Sequence, residues 1–135
     1  MKPVELIARA RRSAASAKLL VDAGDLNGAC NRAYYAMFDA ARAALLAGGE
    51  PVDSEAIKTH SGLIAAFSLH VIKPGLIPEL YGRSLRQVDQ IRLIADYSDE
   101  GVDRERGLSA IEQANHFVEA VRSYVEGQPC RGPQS

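Results

Sequence analysis

Apolar positions recur every three to four residues along almost the whole chain, and strict alternation is absent. That period puts apolar side chains on one face of a helix, not of a strand. The first such stretch covers residues 3–23. Pro3 suits a first-turn position, and Ile7, Ala10, Ala14, Ala17 and Val21 form a seam for a neighbouring helix. Gly24 stops the pattern and Asp25 can cap the next N-terminus. A second helix is predicted over residues 26–47, with two adjoining apolar stripes. One is Cys30, Ala33, Met37, Ala40 and Ala44; the other is Tyr34, Phe38, Ala41 and Leu45. An apolar surface this wide predicts a central helix with several neighbours, and its alanines allow close approach. Arg32, Tyr35, Asp39 and Arg42 fall on a separate, polar-edged face, and Gly48-Gly49 ends the helix.

A third helix is expected after Pro51, with Asp53 or Ser54 as its cap and Ala56, His60, Leu63, Phe67 and His70 on one side. The segment VIKPGLIPE reads as a loop. A fourth helix is predicted over residues 78–97, its inner face carrying Tyr81, Leu85, Val88 and Ala95. Asp103 caps a fifth, in which Ala110, Ala114, Phe117, Val121 and Tyr124 repeat every three to four residues. From Gly127 the periodicity stops. The pattern therefore predicts an all-α, up-and-down bundle of about five helices. It would form one domain over residues 1–126, with a flexible C-terminal tail over 127–135.

Charge narrows the reading. Sixteen Lys and Arg against seventeen Asp and Glu leave a formal net charge of −1, so bulk attraction to nucleic acid is not expected. Only four of the cations are lysine, and arginine suits planar, bidentate contact with carboxylate or phosphate. Arg9, Arg11 and Arg12 cluster on the first helix, ordinarily a solvated face but one that could meet RNA or an acidic partner. Cys30 and Cys130 lie far apart, without ligand spacing, and read as one buried and one exposed thiol. No disulfide, metal or cofactor is expected. No leader-like or membrane-spanning apolar run is present, so a cytoplasmic location is expected.

Arg92 is the sharpest candidate for chemistry. On an ideal helix it lies about 40° from Val88 and about 60° from Ala95, at the margin of the apolar face. A guanidinium there requires an anionic companion, because an unpaired buried charge is costly. Asp96, four residues on, can supply it, although cation-before-anion is the weaker order for such a pair. Tyr97 points about 140° away from Arg92 on a straight helix, and its ordinary role would be a core ring with a tied hydroxyl. A histidine on an apolar face, such as His60, is usually a hydrogen-bonded core residue. Glu112 and His116 stand four apart, but the second carboxylate–histidine unit of a di-iron bundle is missing.

These blocks resemble a known family. NRAYYAMFDAARAALL at 31–46 resembles the first strong block of HEPN domains (higher eukaryote and prokaryote nucleotide-binding), and KTHSGLIAAF at 58–67 resembles their middle helix. IRLIADYSD at 91–99 and IEQANHFVEAVRSYV at 111–125 resemble the last two helices. The likeness covers about residues 5–125 and is nearest to the small stand-alone prokaryotic branch. It implies a helical bundle, commonly a homodimer, associated with nucleotide or RNA chemistry. It also implies a possible minimal nucleotidyltransferase partner in a toxin–antitoxin pair, which in some pairs adenylylates a tyrosine near the site. Many members are metal-independent endoribonucleases whose motif is an arginine, four to six residues, then a histidine. Arg92 matches the motif arginine, but the chain reads ADYSD over residues 95–99 and offers no histidine. The expected site therefore comprises Arg92, Asp96 and Tyr97, with Arg32 and His60 as further residues of the same cleft. The expected function is a module that binds nucleotide, RNA or a protein partner. The alternative is a ribonuclease toxin with a degenerate motif, in which Arg92 and Tyr97 would be catalytic or His60 would stand in as base.

Overall fold

A computed structural model describes residues 1–48 and 54–127. The expectations made for Gly49, Pro51, Asp53, Cys130 and the tail beyond Gly127 lie outside these residues. Five α-helices follow one another, and no strand occurs among the described residues. Helix α1 spans Pro3–Asp22 and buries Leu6, Ile7, Ala10, Ala14, Ala17 and Val21, the predicted seam with Leu6 beside it. Gly24, at φ 87°, takes the left-handed conformation that closes the helix, and the Asp25 amide donates back to the Leu20 carbonyl at 2.8 Å. The Asp25 carboxylate then accepts the Gly28 amide at 2.9 Å and starts α2, Leu26–Ala47.

Helix α2 is the axis of the bundle. It packs against α1, α5, α4 and α3, most extensively against α1 and α5. Ala29, Ala33, Ala36, Ala40, Ala41, Ala43 and Ala44 are all fully buried in it. Side chains this small let four neighbours approach one helix at once. Cys30 is buried among them, and burial pushes its thiol up to about 11, which leaves it inert at neutral pH.

The third helix differs from its prediction. A short 3₁₀ turn, Ala56–Lys58, comes first, and α3 covers only His60–Phe67 before widening into a π turn over Ser68–Ile72. Its cap is Thr59, whose hydroxyl accepts the Gly62 amide at 3.0 Å, and not Ser54. The shift makes His60 the first helical residue, so its ring projects from the N-terminal end of α3 toward α2. Helix α4, Glu79–Tyr97, buries Tyr81, Leu85, Val88, Ile91 and Arg92. Helix α5, Arg104–Val125, is capped by Asp103 and closes the bundle on α2 and α1. The α4–α5 turn is pinned to the start of α2, where Asn27 accepts the Val102 amide at 3.0 Å.

Since α2 holds its neighbours at alanine distance, a larger side chain on it has nowhere to go. Ala40→Leu is expected to lower stability by about 1–3 kcal/mol through overpacking. Urea unfolding should show this as a lower midpoint with an unchanged m-value.

Candidate functional site

The site is built on the spacing of three charged residues in α4. Asp89, Arg92 and Asp96 stand at i, i+3 and i+7, which brings all three to one helix face. Arg92 is 6% exposed. Its Nε and Nη2 donate to Asp89 Oδ1 at 3.2 and 2.9 Å, and its Nη1 donates to Asp96 Oδ2 at 2.9 Å. The guanidinium carbon also lies 4.9 Å from the ring centroid of Tyr34 on α2. Burial works against the positive form, but hydrogen bonds and charge from Asp89, with help from Asp96, outweigh it and raise the pKa.

Tyr34 passes the contact on to α3. Its hydroxyl and His60 Nδ1 share a hydrogen bond of 2.9 Å, with the donor set by the imidazole tautomer. Burial, with Asp89 next, pushes the Tyr34 pKa up, so the phenol keeps its proton. Burial and then the Arg92 charge push the His60 pKa down, against a smaller upward pull from Asp89 and Asp96. His60 is therefore a neutral imidazole at pH 7, able to accept a proton. Its other nitrogen, Nε2, lies 3.5 Å from the Tyr35 hydroxyl. Tyr34, Tyr35, Phe38 and His60 form one aromatic cluster, each ring within 6.1 Å of the others by centroid.

This network forms one wall of an open groove of about 730 Å³ between α3 and α4. Thr59, Ser61, Ser68 and Gln90 supply polar edges, and Ile64, Ala65 and Leu93 an apolar strip. Arg86 stands at the exposed side of the groove with no ion pair among the described residues. Among the described residues, no cluster of three His, Cys, Asp or Glu has the arrangement of a metal site.

Of the residues singled out from sequence, the fold brings together Arg92, Asp96 and His60. It sends Tyr97 outward: the ring is 79% exposed at the end of α4, so it is not a core ring. Arg32 is exposed on α2 and lines a different groove, between α1 and α2. Sequence reasoning missed two of the partners of Arg92, Asp89 and Tyr34. Asp89 carried a readable signal, since an acid three residues before an arginine is the favourable order on a helix. Tyr34 carried none, because its contact depends on how α2 and α4 cross.

The sequence profile of the HEPN domain matches residues 4–124. A Methanocaldococcus jannaschii protein named "Putative toxin MJ0605" is 34% identical over 121 residues, 90% of this chain and 87% of that protein. A UPF0332 protein of Gloeobacter violaceus is 36% identical over 123 residues, covering 90% of this chain and 94% of its own length. A Thermotoga maritima UPF0332 protein is 32% identical over 119 residues, 87% of this chain and 86% of its own.

Two outcomes test the network. Arg92→Met leaves the partly buried Asp89 carboxylate without its cation and is expected to cost about 3–5 kcal/mol, most of which Arg92→Met with Asp89→Leu should restore; denaturant titration of the three proteins measures it. The second concerns pH. Folding lowers the His60 pKa below its ordinary 6.5, so in that window the unfolded chain binds more protons. The His60 contribution is intact above about 6.5, falls with pH through the window, and levels off below the folded value. His60→Asn should flatten this acid-side slope in unfolding curves recorded at successive pH values.

Proposed function

The chain belongs to the HEPN domain family, and on that premise we propose a toxin-type module that binds a nucleotide or RNA phosphate in the α3–α4 groove. It would work as the partner of a minimal nucleotidyltransferase. One observation carries the binding site: a guanidinium at the groove wall has one sheltered and one more exposed counter-ion. The side chain of Asp89 is 14% exposed, whereas that of Asp96 is 32% exposed and lies near the end of α4. A ligand phosphate can take the place of Asp96 at Nη1 while Asp89 keeps the arginine aimed. Arg86 adds a free cation, the strip of Ile64, Ala65 and Leu93 can lie against a base, and the hydroxyls of Ser61 and Ser68 can meet a ribose.

The nucleotidyltransferase pairing is supported by family membership and by a relative named as a toxin. Tyr97 is the hydroxyl such an enzyme would meet first, since it stands clear of the bundle one residue past Asp96. Retention of this chain on an immobilised product of a neighbouring nucleotidyltransferase reading frame, with an adenylyl adduct lost in Tyr97→Phe, is the expected result. Absence of both retention and adduct would end the pairing.

The position of His60 favours a second reading, metal-independent RNA cleavage. Cleavage by a 2′-hydroxyl needs a base for its proton and positive charge at phosphorus. His60 is a neutral base joined to Arg92 through one tyrosine, so α3 supplies the group absent after Arg92 in α4.

Both readings meet in one experiment on purified protein in a chelating buffer. Arg86→Ala, at an exposed position, is expected to weaken nucleotide and RNA binding by roughly 10- to 100-fold, the value of one charge-assisted hydrogen bond. Arg92→Lys should weaken it as well, since a lysine cannot make the fork. Unaltered binding in both variants would remove the groove from consideration. RNA cleavage that His60→Ala abolishes while binding survives would select the second reading.

A further inference from the structure

The α3–α4 groove has a charge problem. Arg86 and Arg92 are offset by Asp89 in the groove and by Asp96 paired to Arg92, so the groove's long-range pull on a polyanion is weak. The unbalanced positive charge lies next to it. Helices α1 and α2 run antiparallel, which sets Arg9, Arg12, Ser13 and Ser16 opposite Arg32, Tyr35 and Asp39 around a second groove of about 490 Å³. The first four share one face of α1 at i, i+3, i+4 and i+7.

These cations are not equivalent. Arg9 donates through Nε and Nη2 to the two oxygens of buried Asp39, both at 2.8 Å, and so ties the helices together. Arg12 and Arg32 are exposed and have no carboxylate partner among the described residues. Three cations stand against one acid here. Arg11, which the sequence groups with Arg9 and Arg12, turns the other way and meets Glu119 of α5 at 3.5 Å. The two grooves are joined by a single residue: Tyr35 lines the basic one, is 37% exposed, and puts its hydroxyl 3.5 Å from His60, which lines the other.

We propose that the α1–α2 groove is a backbone track for single-stranded RNA, which Arg12 and Arg32 hold by its phosphates and Tyr35 hands over to His60 and Arg92. A positive groove interrupted by an exposed aromatic ring is the arrangement that binds single strands without reading sequence. An acidic protein would satisfy the arginines but would leave the ring without a stacking partner. The inference rests on the α3–α4 groove holding nucleotide or RNA, and adds where the rest of the strand runs.

The test uses the whole chain, a labelled oligouridine and uridine monophosphate. Arg12→Ala with Arg32→Ala is expected to weaken oligouridine binding by about tenfold and leave uridine monophosphate unaffected. The slope of log affinity against log salt should shrink by about 0.7 for each arginine removed. Tyr35→Leu should weaken oligouridine by about fivefold or more with the salt slope unaltered. An unaltered affinity and slope in the double variant, with Arg86→Ala still impaired, would overturn the track alone. Failure of wild type to bind either probe would overturn the groove reading and the track together. Polyglutamate of matched charge binding as tightly as oligouridine would show a surface that reads charge only, and would end the assignment to RNA.

Discussion

A guanidinium taken almost wholly out of water sets the terms for this bundle. Arg92 cannot lose its proton, so the surrounding chain must answer its charge, and it does so from two directions. Along α4, Asp89 and Asp96 provide carboxylates one turn to either side. Across the bundle, the face of Tyr34 provides a polarisable surface from α2. Each of these partners is then constrained in turn. The tyrosine hydroxyl, fixed by the ring's place over the arginine, fixes His60, and through it the first turn of α3. Three helices are thus held in register by polar contacts in a region that alanine packing alone would leave free to slide.

The same arrangement explains why the histidine is neutral. Partial burial, together with a positive charge held nearby, disfavours a second cation more than the two aspartates favour it. A base is left beside a fixed guanidinium, with an open groove on the other side. A fixed positive charge and a neutral imidazole thus come from different helices, α4 and α3. A motif with both groups on α4 would solve the same problem within one helix. Either way, what phosphate chemistry requires is proximity of the two groups, not their separation in sequence.

A consequence of fully compensating Arg92 is that it no longer acts as a long-range attractor. Charge visible to an approaching polyanion comes from exposed side chains without resident acids, Arg12 and Arg32 among them. The division is physically reasonable. Positioning at a reacting phosphate calls for a rigid, oriented fork, while capture of a flexible strand calls for exposed, mobile cations. The near-neutral total charge of the chain conceals this local separation of signs.

How far the sequence could be read follows from which forces are local. The helix positions were legible because apolar period, Pro3, Gly24, Asp25 and Asp103 all act within a few residues of themselves. The central role of α2 was legible in its two stripes, and the need of Arg92 for an anionic partner in its place at the edge of an apolar face. The start of α3 was misread because several acids and hydroxyls precede it and any of them can cap; the hydroxyl that does so is Thr59. Composition and period thus determined an all-α bundle with a buried arginine that needs an anion. Tertiary structure alone decided that a tyrosine from α2 lies under that arginine, that His60 reaches it from α3, that Tyr97 faces solvent, and that Arg12 and Arg32 share a groove. Those outcomes depend on how helices cross and on which side chains their separation lets meet, and neither quantity is encoded in the spacing along any one helix.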